Sequence, residues 1–138
     1  MDERLLLLRP IGTVESPLTD RESAPKQGNE GSPDAWLVFE PTVRDGLQGL
    51  RVGELVIVLT WLDRAQRDVL KVHPRGDMSI PEHGVFSTRS PDRPNPIGLH
   101  LVEILAIEGR RVQVRNLEAL DGTPILDVKP RLEGVSDA

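Results

Sequence analysis

The densest chemical signal in this sequence runs from Gly84 to Gly98 and reads Gly-Val-Phe-Ser-Thr-Arg-Ser-Pro-Asp-Arg-Pro-Asn-Pro-Ile-Gly. Proline fixes φ and removes a backbone donor, so Pro91, Pro94 and Pro96 forbid a regular strand between them. The expected product is a stiff loop that aims Arg89, Arg93 and Asn95. An arginine held in advance loses little entropy on binding and can grip a carboxylate or phosphate through two parallel hydrogen bonds. The same residues would also suit a rigid turn with solvated arginines.

A second cluster is Asp121-Gly122-Thr123-Pro124, lying between two strand-like runs. Asp-Gly in that setting is a common hairpin turn. Asp127-Val128-Lys129-Pro130 just beyond it adds polar groups to a stretch otherwise fit for a core. Two polar clusters beside one strand suggest the rim of a pocket. His73, His83 and His100 have no partners at metal-ligand spacing, so no metal site is expected. Neither a dinucleotide-binding G-x-G-x-x-G nor a P-loop is present.

The elements that must position these groups read as strands. Apolar runs at Leu5 to Val14, Ala35 to Glu40, Leu55 to Leu62, Val69 to His73 and Gly84 to Thr88 are each bounded by turn residues. Leu99 to Ile107, Arg111 to Leu117 and Ile125 to Val128 follow. Val112 and Val114 alternate with Arg111, Gln113 and Arg115, the period of a strand with one wet face. Closely spaced strands of this kind favour an all-β barrel or sandwich. One short helix is expected after Pro41, where Val43, Leu47 and Leu50 stand near helical spacing, although Gly46 and Gly49 weaken it. The polar stretch Thr19 to Asp34 reads as a long N-terminal loop, of a length usually kept for function.

A length of 138 residues predicts one domain. With two Phe, two Trp and no Tyr, aliphatic side chains must fill that core, and platforms for base stacking are scarce. The absence of cysteine excludes disulfides and thiolate metal sites and fits a reducing compartment. The leucines at 5–8 are too few for a membrane span or a signal-peptide core, and Asp2, Glu3, Arg4 and Arg9 flank them, so a buried strand in a cytoplasmic protein with no membrane association is expected. A net charge of −5 means that any polyanionic partner needs a local basic patch. Lys71, Arg75, Arg89, Arg93, Lys129 and Arg131 flank the two motifs and are the candidates for it.

Taken together, the Gly84–Gly98 segment and Leu120 to Pro130 closely resemble the TsaA-like, or TrmO, family in order and spacing. Pro10-Ile11-Gly12 and Pro25-Lys26-Gln27 match further family motifs, so the resemblance spans about residues 9–131. It implies a small β-barrel that forms homodimers, binds S-adenosylmethionine and methylates N6 of threonylcarbamoyladenosine at position 37 of transfer RNA. Residue by residue, it assigns cofactor contacts to Pro25, Lys26, Gln27, Arg89, Leu99, Asp121, Gly122, Thr123 and Pro124. Asp63 and Arg64, beside the central strand, are added as candidates because Asp63 could accept a hydrogen bond from the ligand's amine or ribose. The acceptor nitrogen must lose a proton. Asp121 ranks first as the catalytic base, ahead of Asp63 and His73.

Two positions depart from the family pattern. Many relatives carry His where this chain has Asp63 after Trp61-Leu62, and Tyr where it has Arg131 after Lys129-Pro130. Larger relatives carry an additional C-terminal domain, not seen in this sequence. Two other readings stay open at this level: a module that binds S-adenosylmethionine without chemistry of its own, and a methyltransferase for a small molecule.

Overall fold

The computed structural model describes residues 4–21 and 31–133. Eight strands occur among them: β1 (Gly12–Glu15), β2 (Ala35–Phe39), β3 (Leu55–Trp61), β4 (Lys71–Val72), β5 (His83–Gly84), β6 (Ile97–Glu108), β7 (Arg111–Arg115) and β8 (Pro124–Pro130). Six pair antiparallel in the order β1-β2-β7-β6-β3-β8, and β8 pairs back with β1, so the circuit closes on itself. The twelve-residue β6 spans both halves, its first half pairing with β3 and its second with β7. A register shift between Ile104 and Ala106 separates the two halves and lets one strand turn the corner.

Alternation decides which residues face inward. Val14, Leu37, Val56, Val58, Val102, Ile104, Val112, Val114 and Ile125 are almost wholly buried, each contributing roughly 1.5–3 kcal/mol of apolar burial. Arg111, Gln113 and Arg115 point outward from β7, as the period-2 pattern requires. Phe39 is the one buried aromatic in this core among the described residues, which is therefore aliphatic.

The helix expected after Pro41 is a seven-residue 3-10 helix, Pro41–Leu47, with Pro41 in its first turn. Val43, Leu47 and Leu50 pack against the core, so the spacing identified the right face. With glycine at 46 and 49, the segment holds only the tighter form, which is stable in short pieces.

The leucine run departs from expectation. Leu5, Leu6, Leu7 and Leu8 are 83, 77, 98 and 60% exposed and belong to no strand. β1 starts only at Gly12, beyond Pro10, where it gains neighbours on both sides. Gly12 itself lies so close to β2 that a Cβ there would stand 2.5 Å from the Val38 carbonyl oxygen. The expected strands at Val69 to His73 and Gly84 to Thr88 shrink to the two-residue β4 and β5, paired only with each other. Val85–Ser87 coils into a 3-10 turn that buries Val85 and leaves Phe86 83% exposed. No helix among the described residues is long and apolar enough to cross a membrane.

Candidate functional site

β3 runs from Leu55 to Trp61, and at its Trp61 end four connecting segments meet. The turn after β3 is bound to the proline loop along its length. The Leu62 N–H donates to the Pro96 carbonyl (2.8 Å), the Arg93 N–H to the Gln66 carbonyl (3.0 Å), and the Gln66 N–H to Asp92 Oδ1 (2.9 Å). Arg67 donates to the Pro94 carbonyl and to Asn95 Oδ1, and its guanidinium lies 5.1 Å from the centre of the Trp61 ring. Each of these bonds fixes a proline-locked backbone that could not hold itself by a strand ladder.

The proline loop divides its polar residues between two tasks. Arg93 turns inward and donates to the carbonyls of Val85, Thr88 and Ser90, stapling the turn that precedes it. Asn95 is taken by Arg67. Arg89 is exposed and makes no hydrogen bond or ion pair among the described residues. Of the three side chains expected to be aimed by this loop, Arg89 is the one without a partner among the described residues.

Asp121 reaches the same end from the other side. It follows a crossover from β7 rather than a hairpin, because β7 pairs with β2 and β6 while β8 pairs with β1 and β3. Its Oδ1 accepts the Ser16 N–H (3.0 Å), its own N–H donates to the Leu18 carbonyl (2.7 Å), and its other carboxylate oxygen makes no hydrogen bond among the described residues. Arg64 bridges the clusters, donating to the Thr19 carbonyl (2.6 Å) and to the Asp121 carbonyl (3.4 Å). Asp63 beside it is exposed and makes no hydrogen bond or ion pair among the described residues.

Gly122 adopts φ 85°, the left-handed region that favours glycine, and a Cβ there would meet nothing within 4 Å. Thr123 is buried, and both its hydroxyl and its N–H donate to the Leu120 carbonyl. Its carbonyl accepts from Val14, so Thr123 holds the turn. Pro124 opens β8 opposite Thr13. Leu99 lies on the outward face of β6, 42% exposed and opposite Leu59.

Arg21, the last described residue before position 31, is anchored here too. Arg21 forms a two-pronged bond with Asp92, both contacts at 3.1 Å. Burial pushes the Asp92 carboxyl up, but the Arg21 bond and the Gln66 N–H outweigh it and hold the group below its ordinary value. Pro25, Lys26 and Gln27 lie outside the described residues.

Other expected placements differ. Asp127, Val128 and Pro130 do line a groove, of about 380 Å³, but its other walls are Ile11, Phe39 and the 3-10 helix at 41–47, and neither Arg64 nor any residue from Asp121 to Pro124 borders it. The basic residues do not converge as one set, because Arg93 is spent on carbonyls, Lys129 pairs with Asp127 (3.4 Å), and the Arg131 N–H donates to Leu55 at the far end of β3. His73 Nδ1 faces the Ile80 carbonyl (2.9 Å) and ties a turn of the β4–β5 excursion. Sequence reasoning missed the structural part played by Arg67 and Ser16, whose partners lie far off in the chain and leave no local mark.

These features define a small β domain whose polar connecting loops are tied together at one end of a closed strand circuit. A family model described as the tRNA-methyltransferase O N-terminal domain matches residues 13–137, and the chain belongs to that family. An S-adenosyl-L-methionine-binding protein of Archaeoglobus fulgidus is 46% identical over 124 residues, 90% of this chain and 88% of that protein. A probable S-adenosyl-L-methionine-binding protein of Methanothermobacter thermautotrophicus is 44% identical over 135 residues, 98% of this chain and 96% of that protein. The crystal structure of TrmO from Pseudomonas aeruginosa superposes with a TM-score of 0.75 at 29% identity, covering 98% of this chain and 61% of the other. A further A. fulgidus relative, 47% identical, is matched over 34% of its length. The chain therefore spans about a third of that relative and about three fifths of the TrmO chain.

Proposed function

We propose that this chain is a cytoplasmic methyltransferase that binds S-adenosylmethionine at the Trp61 end of its β-barrel and methylates N6 of threonylcarbamoyladenosine at position 37 of transfer RNA. One observation carries the reading. From the turn after β3, Arg64 reaches the carbonyl of Asp121 (3.4 Å), which is distant from it in sequence, in a chain of this family.

The residues suit the cofactor's chemistry. Arg89, an exposed cation with no partner among the described residues, fits a carboxylate, and Asp63 fits an amine or ribose hydroxyl as an acceptor. Leu99 offers an apolar face to the adenine, and the open Gly122 backbone admits close approach. Pro25, Lys26, Gln27 and Pro124 complete the set that the family resemblance implies. The cofactor supplies a sulfonium methyl group to the acceptor nitrogen and departs as the thioether. Asp121, with one oxygen fixed by Ser16, holds its other oxygen ready to take the N6 proton. Arg64 and Thr123 fix the Asp121 backbone, and such orientation can contribute roughly 7–11 kcal/mol in favourable cases.

The chain acts as a homodimer. Ile97, Leu99 and Leu101 project outward from β6 and remain 40–45% exposed. They pair with Trp61, Leu59 and Ile57 of β3, so an apolar strip borders Leu99. A second copy covering it would close the cofactor site. Binding without transfer is the second reading, supported by relatives named only for binding S-adenosyl-L-methionine. Incubation with labelled S-adenosylmethionine and total transfer RNA, followed by nucleoside analysis, tests both. N6-methylated threonylcarbamoyladenosine is expected. Binding without any labelled nucleoside selects the second reading, and label on another acceptor replaces the substrate.

A further inference from the structure

Apart from Thr123 in the turn before β8, the buried residues of the barrel among those described are apolar except where Thr60 and His100 meet inside it. Thr60 is fully buried and the His100 side chain is 3% exposed, yet neither lacks a partner. His100 Nε2 lies 2.7 Å from Thr60 Oγ1, and Nδ1 lies 2.7 Å from Glu118 Oε1. A carboxylate only accepts, so Nδ1 donates to Glu118, and in the neutral imidazole Nε2 accepts from the Thr60 hydroxyl. The three side chains form an unbroken line from β3 through β6 to the crossover between β7 and β8.

The space for this line is made by a missing side chain. A Cβ at Gly98 would collide with Thr60 Oγ1 and stand 2.6 Å from His100 Nε2. Gly98 pairs with Thr60 across the β3–β6 ladder, so its lack of a side chain is what lets the imidazole reach the hydroxyl.

The far end of the line needs such support. Residues 116–120 have no strand partner, and Asn116 enters the segment at φ 72°. Leu117 and Ala119 pack inward, but apolar packing sets no direction along the chain. Among the described residues, Glu118 makes the one side-chain hydrogen bond from this segment to the strands. Three residues later comes Asp121, while Leu99 sits next to His100 in β6.

We infer that Thr60, His100 and Glu118 act as positioning residues, a polar strut that sets the Asp121–Pro124 turn relative to Leu99 and thereby shapes the cofactor site. This rests on the cofactor reading above. A buried network satisfied at every atom is well suited to the task, because its low-dielectric bonds are strong and any slip strands a polar group.

Two pairs of variants test it, with S-adenosylmethionine affinity measured by calorimetry and melting temperature recorded for each. Thr60→Ser keeps the hydroxyl and loses a methyl, whereas Thr60→Val keeps the volume and loses the hydroxyl. Glu118→Gln keeps an acceptor, and Glu118→Ala removes it. Thr60→Ser and Glu118→Gln should bind within about threefold of the parent, and Thr60→Val and Glu118→Ala should bind at least tenfold more weakly. That loss should appear even where Thr60→Val melts no lower than Thr60→Ser. Affinities that simply follow melting temperature, or that match the parent in all four variants, overturn the strut while leaving the cofactor reading intact. A parent chain with no affinity for S-adenosylmethionine overturns the cofactor reading and the strut together.

Discussion

Replacing Gly98 with alanine should destabilise the protein far more than a single added methyl does on a surface. The new Cβ would collide with Thr60 Oγ1 and lie 2.6 Å from His100 Nε2, both in the closed interior. Forcing a methyl into a packed core costs about 1–3 kcal/mol. Here the atoms that must yield are the two halves of a 2.7 Å hydrogen bond, and losing that bond adds about 1 kcal/mol. The combined cost is about 2–4 kcal/mol. For 138 residues the unfolding entropy near the midpoint is about 0.29 kcal/mol/K, so the melting temperature should fall by roughly 7–14 °C. Scanning calorimetry reads this directly. Gly46→Ala is the matched control, since a Cβ there meets nothing within 4 Å and its φ is not positive, so it should be neutral or stabilising by about 0.4–1 kcal/mol. A Gly98→Ala variant that melts within about 2 °C of the parent refutes the claim that this glycine makes room for the Thr60–His100 contact.

Arg89→Ala should weaken S-adenosylmethionine binding by about 1.5–3 kcal/mol, the range for a hydrogen bond to a charged group, and leave stability within about 0.5 kcal/mol. Calorimetric affinity equal to that of the parent removes Arg89 from the site. Asp92 is held below its ordinary carboxyl value in the folded chain, so its contribution is fully present above the unfolded value and is lost as pH falls through the folded one. Asp92→Asn should therefore cost up to about 1 kcal/mol at neutral pH and nothing at pH below that depressed value, as followed by urea unfolding across a pH series. A constant cost at every pH contradicts the Arg21 pairing as its source. In light scattering at micromolar concentration the mass should be twice 15.3 kDa, and a value of 15.3 kDa contradicts the homodimer.

Local chemistry was enough to locate most of the strands, the wet face of β7 and the helical face of Val43, Leu47 and Leu50, because period and turn residues act over a few positions. The same local reading located the stiff loop at Pro91–Pro96 and the cluster at Asp121, since proline and glycine restrict or free the backbone by themselves. Which of those polar residues are left without a partner was a matter of tertiary structure. Arg93 and Asn95 look as available as Arg89 in the sequence, yet only in the fold do three carbonyls claim one and Arg67 the other. The leucines at 5–8 carry a buried strand's composition, but a strand needs neighbours on its edges, and the chain supplies them only from Gly12 onward. His100 reads as a lone histidine because its partners Thr60 and Glu118 lie 40 and 18 residues away, and only closure of the strand circuit brings the three within hydrogen-bonding distance.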